Sequence, residues 1–239
     1  MSVAANDPTS VGASAPAGEG LALLSLAEIE AAAMKAARGA GSSWGIAEEA
    51  GAAARWLAAH GLPGPELLLR HLEAFDRRPW TAVAPVVADR VWRAAGDGAL
   101  CPIAAGVALA DRAALDEGPG EREVVLENVA DPGLLLPFVA LAAGALDRPL
   151  RVAWPGTAAV VGADGLAFET PENGVLDETA GRVVIEPAAT AAERGRPRAA
   201  PRPVPFAVWR GLDRFAFRTY VPASEASRAG AGAGTTDND

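Results

Sequence analysis

No stretch limits the folding of this chain more than Leu24 to Gly64, where two helices are written out together with their starts and stops. Ser25 stands three residues before Glu28, the spacing of a capping box. In that motif the Ser25 hydroxyl accepts from the Glu28 amide and the Glu28 carboxylate accepts from the Ser25 amide. Leu24 and Ile29 flank the box as a hydrophobic staple. Leu26, Ile29, Ala33 and Ala37 recur at helical spacing, and Gly39 and Gly41 stop the helix. A second helix starts near Ser43, with Ile46, Ala50, Ala54 and Leu57 as its apolar line. His60 falls in its last turn, Gly61 just past the end and Pro63 beyond. Because so many facing positions are alanine, the two axes can approach closely.

The 239 residues suffice for one large domain or two small ones, and half of them are apolar. A net charge of -9 without a basic run argues against nucleic acid or an anionic membrane as the partner. Cys101 is the single cysteine, so no intrachain disulfide can form. No apolar run is long enough to span a bilayer, and the start of the chain lacks the charged and apolar regions of a signal peptide. These features predict a cytoplasmic protein.

The fold class expected is α+β, and four segments divide the chain. Residues 1–21 read as a disordered leader and residues 22–110 as a helical part, the hairpin plus two further helices. Residues 111–222 read as a smaller mixed strand-helix-strand and meander part with an exposed loop at 188–203, and residues 223–239 as a Gly-rich tail. The third helix is expected from Pro65, with Leu68, Leu72 and Phe75 on one face and Pro79 as its end. A fourth is expected from Pro85 to Ala95, with Val87, Val91 and Trp92 inward. Leu100 to Ala110 fits a helix or a buried strand; its Ala and Gly content favours helix. Strands are expected at Glu123–Val129, Leu150–Trp154, Ala158–Val161, Leu166–Glu169 and Arg182–Glu186. A helix capped by Asp131 should run to Leu146. A last helix should cover Pro205 to Thr219 and offer Phe206, Trp209 and Phe217 for burial.

The hairpin, the following WLAAHGLPG, the mid-chain ENVADPGLLLPFVALAA and the terminal YVPASEASRAGAGAG…DND together resemble the bacterial family catalogued as domain of unknown function 3726. The resemblance runs over most of the chain from Leu24 onward, apart from the loop at 188–203. It implies no reaction, and no catalytic residue is carried over from it. A second resemblance is to the malate/L-lactate dehydrogenase family that lacks a Rossmann fold. It implies an NAD(P)H-dependent 2-hydroxy acid oxidoreductase with its catalytic histidine at His60, although the LPGPELLLR that follows departs from that family's pattern.

Cys101 is the first candidate for chemistry. If a helix begins at Pro102, the thiol sits at the positive end of its dipole, which favours the thiolate. With His60 or His71 nearby it is a candidate nucleophile; otherwise it is a small buried hydrophobe. His60 also fits a plain role as a cation at a helix C-terminus. No HExxH or CxxC is present, and two histidines do not make a histidine-rich metal site. Glu48 and Glu49 suit the early part of the second helix, and Trp44 and Trp56 are expected to pack. In the tail, Ser224, Ser227, Arg228, Gly230, Gly232 and Gly234 present donors and flexible backbone suited to a phosphate or carboxylate. Asp237 and Asp239 would instead suit a hard cation, and a flexible polar tail is the plainer reading.

Two functions follow as expectations. One is a small-molecule enzyme or ligand-binding metabolic protein, with a site for an anionic metabolite between the tail and the first hairpin. The other is a non-catalytic accessory protein whose Ala-rich helices pack on a partner or on a second copy. No cofactor can be named from the sequence.

Overall fold

The computed structural model describes residues 20–163, 165–189 and 199–220. Strand β1 (Leu21–Leu24) leads into α1 (Leu26–Gly39) and α2 (Trp44–Ala59). The capping box forms as the spacing requires: the Glu28 amide donates to Ser25 Oγ at 3.2 Å and the Ser25 amide to Glu28 Oε2 at 2.8 Å. Helices α1 and α2 meet through fully buried Ala33, Ala36, Ala37, Ala47, Ala50 and Ala54. Trp44 departs from the expected packing; it is 61% exposed, and its indole N–H donates to Glu48.

Helix α3 (Gly64–Phe75) carries Pro65 in its first turn, and α4 (Trp80–Val83) is a single turn entered from Pro79. The expected helix over Pro85–Ala95 is not there. Strands β2 (Pro85–Ala88) and β3 (Val91–Ala94) form a hairpin in its place. Asp89 makes the turn with φ 54, a left-handed conformation that Asp tolerates better than most residues. Burial alternates along both strands, the period of a half-covered sheet rather than of a helix.

Helix α5 (Pro102–Asp111) resolves the ambiguous apolar run in favour of helix. Strand β4 (Val124–Ala130) follows, then a 3-10 turn (Pro132–Leu135) and α6 (Leu136–Ala145). The expected helix from Asp131 is therefore split, and Asp131 makes no side-chain cap; its φ is 43. Strands β5 (Leu150–Trp154), β6 (Thr157–Gly162) and β7 (Gly165–Phe168) form the meander, and a second 3-10 turn (Glu172–Leu176) precedes β8 (Thr179–Pro187). Strand β9 (Arg202–Pro205) lies at the end of the expected loop and pairs with β1, which no local signal foretold. Helix α7 (Phe206–Phe217) ends the described chain. It buries Leu212 and Phe215, while Phe206 and Phe217, expected inside, are exposed.

The main sheet has the order β2-β3-β4-β8-β5-β6-β7, and only the β3–β4 pair is parallel. Helix α6 packs on β5 and β6, α5 packs on α6, and α2 touches both. One apolar core joins the sheet to Leu57, Leu62 and Leu67 of the helical part, and a second fills the space among α1, α2, α3, α5 and α7. A Cβ on Gly39 would overlap the Phe215 carbonyl, so glycine is what lets α7 lie against α1. Fold class and hairpin thus agree with the α+β reading of the sequence.

Candidate active site

The site is built by one isolated pairing. Leu100 bridges to Val129 in parallel: its amide donates to the Asn128 carbonyl at 2.7 Å, and the Ala130 amide donates to the Leu100 carbonyl at 3.1 Å. The residues that follow this bridge, Cys101 and Asp131, are thereby carried together to the end of β4. Cys101 is the N-cap of α5, with Pro102 directly after it. Helix α3 lies across them and contributes Arg70 and His71.

A chain of contacts connects the four. Cys101 Sγ lies 3.4 Å from His71 Nε2, and His71 Nδ1 lies 3.2 Å from Asp131 Oδ2. The other carboxylate oxygen, Oδ1, accepts from Arg70 Nε at 2.6 Å. Arg70 also donates to the Leu176 and Asp177 carbonyls, so its guanidinium is held at three points. An ionised carboxylate can only accept, so His71 donates from Nδ1 and turns Nε2 toward the sulfur. Phe75, one helical turn on, stacks on the imidazole with centroids 4.3 Å apart. Cys101, His71 and Asp131 are 7%, 2% and 3% exposed.

Charge and burial compete here. For His71, burial works against the imidazolium. The Cys101 sulfur, through charge and hydrogen bond, and the Asp131 carboxylate outweigh it and push the imidazole up to about 9. For Cys101, burial likewise opposes the thiolate. His71, with the Ala104 and Ile103 amides at the start of α5, holds the thiol below its ordinary value all the same. The pair is thus biased toward thiolate and imidazolium. That is the ionisation state of an activated thiol nucleophile beside an oriented acid and base.

Of the residues singled out in the sequence, Cys101 lies in this constellation with His71, one of the two histidines considered for it. His60 lies elsewhere. It caps the end of α2, stacks on Trp56 with centroids 3.8 Å apart, and places Nδ1 2.8 Å from the Trp56 carbonyl. Burial first, and the Arg202 charge after it, hold its pKa below the ordinary value. Ser224, Ser227, Arg228, Gly230, Gly232 and Gly234 lie outside the described residues. Asp131 and Arg70 were missed. An Asp before Pro after a strand reads as a helix cap, and nothing near it in the sequence points to a histidine sixty positions away. Among the described residues no group of three or more His, Cys, Asp or Glu is arranged to hold a metal ion, and no helix is long and apolar enough to cross a membrane.

No curated protein matches the chain. The model of a family described as a protein of unknown function, DUF3726, matches residues 24–99. This span is narrower than the resemblance read from the sequence: it takes in Arg70 and His71 and stops just before Cys101. Over that span, which holds the capped hairpin and α3, the chain is similar to the family that the sequence resembled.

Proposed function

We propose that this protein is a small-molecule enzyme that works by thiol nucleophilic catalysis, most simply acyl transfer or hydrolysis. The observation that carries the reading is the linear arrangement Cys101–His71–Asp131, in which each contact falls within hydrogen-bonding reach. The Cys101 thiolate attacks the carbonyl carbon of an ester, thioester or amide. The C–S bond forms as the bond to the leaving group breaks, and His71 Nε2 gives the leaving group its proton. Water or another acceptor then loses a proton to His71, attacks the acyl-Cys101 thioester and regenerates the thiolate. Asp131 keeps the imidazole in one tautomer and balances its charge, and Arg70 fixes Asp131. The low exposure of Cys101 favours small acyl donors. A catalytic thiol in a chain without a second cysteine suits a reducing, cytoplasmic setting in a bacterium.

The test is acylation by p-nitrophenyl acetate, followed by intact mass and peptide mapping. The expected result is a single acetyl group on Cys101, formed faster than on free cysteine at neutral pH. It should be absent in Cys101→Ala and strongly slowed in His71→Ala, while His60→Ala behaves as wild type. Acetylation no faster than that of free cysteine overturns the reading, and dependence on His60 and a nicotinamide cofactor would point to the oxidoreductase instead. We further propose that the tail and the first hairpin bind an anionic metabolite; phosphate should raise the melting temperature of the full chain and not of a chain ending at Arg228, and equal shifts in the two would overturn this.

The accessory-protein reading draws on a different observation. Leu21 and Leu23 of β1 are 65% and 70% exposed, and Phe217 and Tyr220 lie in contact on the surface near the end of α7. A self-associating protein would lose mass in light scattering on Leu23→Ser or Phe217→Ser.

A further inference from the structure

A cavity lies apart from Cys101, His71 and Asp131, in a groove between α2 and α6. It encloses about 390 Å³, within the range of small-molecule pockets. Helix α2 presents Glu49, Ala52, Ala53 and Trp56 to it, spaced as one helical face, and α6 presents Phe138 and Leu141 among others. The small side chains on both helices leave the space open. Leu141 is 55% exposed and Trp56 is half-buried, so the walls are apolar and reachable. Trp56 is steadied by its stack on His60.

The polar content of this groove is one-sided. Among the described residues Glu49 is the single ionisable one lining it, and none of them brings a cationic side chain to it. Among the described residues Glu49 forms no ion pair, while Arg55 of the same helix pairs with Glu30 and Arg112, after Asp111, with Glu117. The charges that act on Glu49 are those of Asp111 at the end of α5 and of neighbouring Glu48, both negative. Burial, aided by these two, raises its pKa, as expected of a carboxylate that lacks a cation.

We propose that the α2–α6 groove binds an amphiphilic amine, an ammonium group attached to a small aryl or alkyl body. The ammonium pairs with Glu49 in the field of Glu48 and Asp111, and the body lies between Trp56, Phe138 and Leu141, where the indole also attracts the cation. The groove shares no lining residue with the thiol site, so this inference stands whether or not Cys101 acts as a nucleophile.

The experiment is isothermal titration of the full chain with benzylammonium and n-hexylammonium, against benzyl alcohol and benzoate, with Trp fluorescence as a second readout. The ammonium probes should bind saturably and at least about tenfold more tightly than the alcohol or the carboxylate. Glu49→Gln should erase that preference without changing the melting temperature. Ala52→Leu, at an exposed position on the groove face, should block all of the probes. Equal binding of cation, neutral and anion overturns the proposal, as does an unchanged preference in Glu49→Gln or the absence of saturable binding at millimolar ammonium.

Discussion

At Cys101 two large effects oppose each other, and the pH dependence of its reactivity reports which one wins. An exposed thiol ionises near pH 8.5. Burial alone would move Cys101 higher, and the neighbouring imidazolium brings it below the ordinary value. The inflection in the rate of alkylation by iodoacetamide should therefore lie below that of free cysteine. In His71→Ala only the Ala104 and Ile103 amides still oppose burial, and the inflection should move upward; an unchanged inflection would separate the thiol from His71. The stability linkage has two signs. His71 has a folded-state pKa above its ordinary 6.5, so its contribution is full below pH 6.5 and is lost as pH rises through about 9. Cys101 is shifted down, so its contribution is full above its ordinary value and is lost as pH falls through the lowered one. Asp131→Asn keeps the shape and tolerates the positive φ, yet it removes the charge that Arg70 and His71 share. Breaking a buried pair from one side costs about 3–5 kcal/mol, so thermal denaturation should show a large loss, together with a raised thiol pKa. A melting temperature equal to wild type would mean that the carboxylate carries no charge there.

The elements differ in how much of their specification is local. Helix α1 has its start encoded within four residues by Ser25 and Glu28, and Ser25→Ala should cost about 1 kcal/mol in chemical denaturation. A value near zero would mean that tertiary packing alone holds the helix start. The β2–β3 hairpin shows the opposite case. Val87, Val91 and Trp92 sit at spacings that a helix also satisfies, so the apolar positions alone admitted both readings. Asp89 and the valines and tryptophan around it favour a turn between strands, and pairing of Val91 and Trp92 with Val125 and Leu126 completes the choice. Replacing Asp89 by valine puts a β-branched residue in the left-handed region, and about 1–3 kcal/mol of destabilisation is expected. Asp89→Gly should be close to neutral, and equal stabilities of the two variants would contradict the turn geometry.

On the scale of the molecule, the helical and mixed parts are tied together by the strands and by the core. The β2–β3 hairpin comes from the helical stretch but belongs to the main sheet, and Leu57, Leu62 and Leu67 pack into the same core as Leu126, Val152 and Ile185. A chain cut after residue 110 leaves β3 without β4 and this core half empty. It should fail to give a cooperative melt by circular dichroism, whereas the whole protein should unfold in one transition. Leu126→Ala, at a fully buried position, should cost about 2–5 kcal/mol and lower that single transition throughout. Separate transitions for helix and sheet signals would argue for two independent domains. The sequence by itself determined the features that act over one or two helical turns: the capped hairpin and the meander turned at Pro155 and Gly156. In each of these the signal and the structure it produces lie within a few residues. Only the tertiary structure decided that Leu100 would pair with Val129, that β1 would find β9, and that His71 rather than His60 would face Cys101. Those choices rest on strand register and helix packing between distant segments, and no local periodicity encodes which pair will meet.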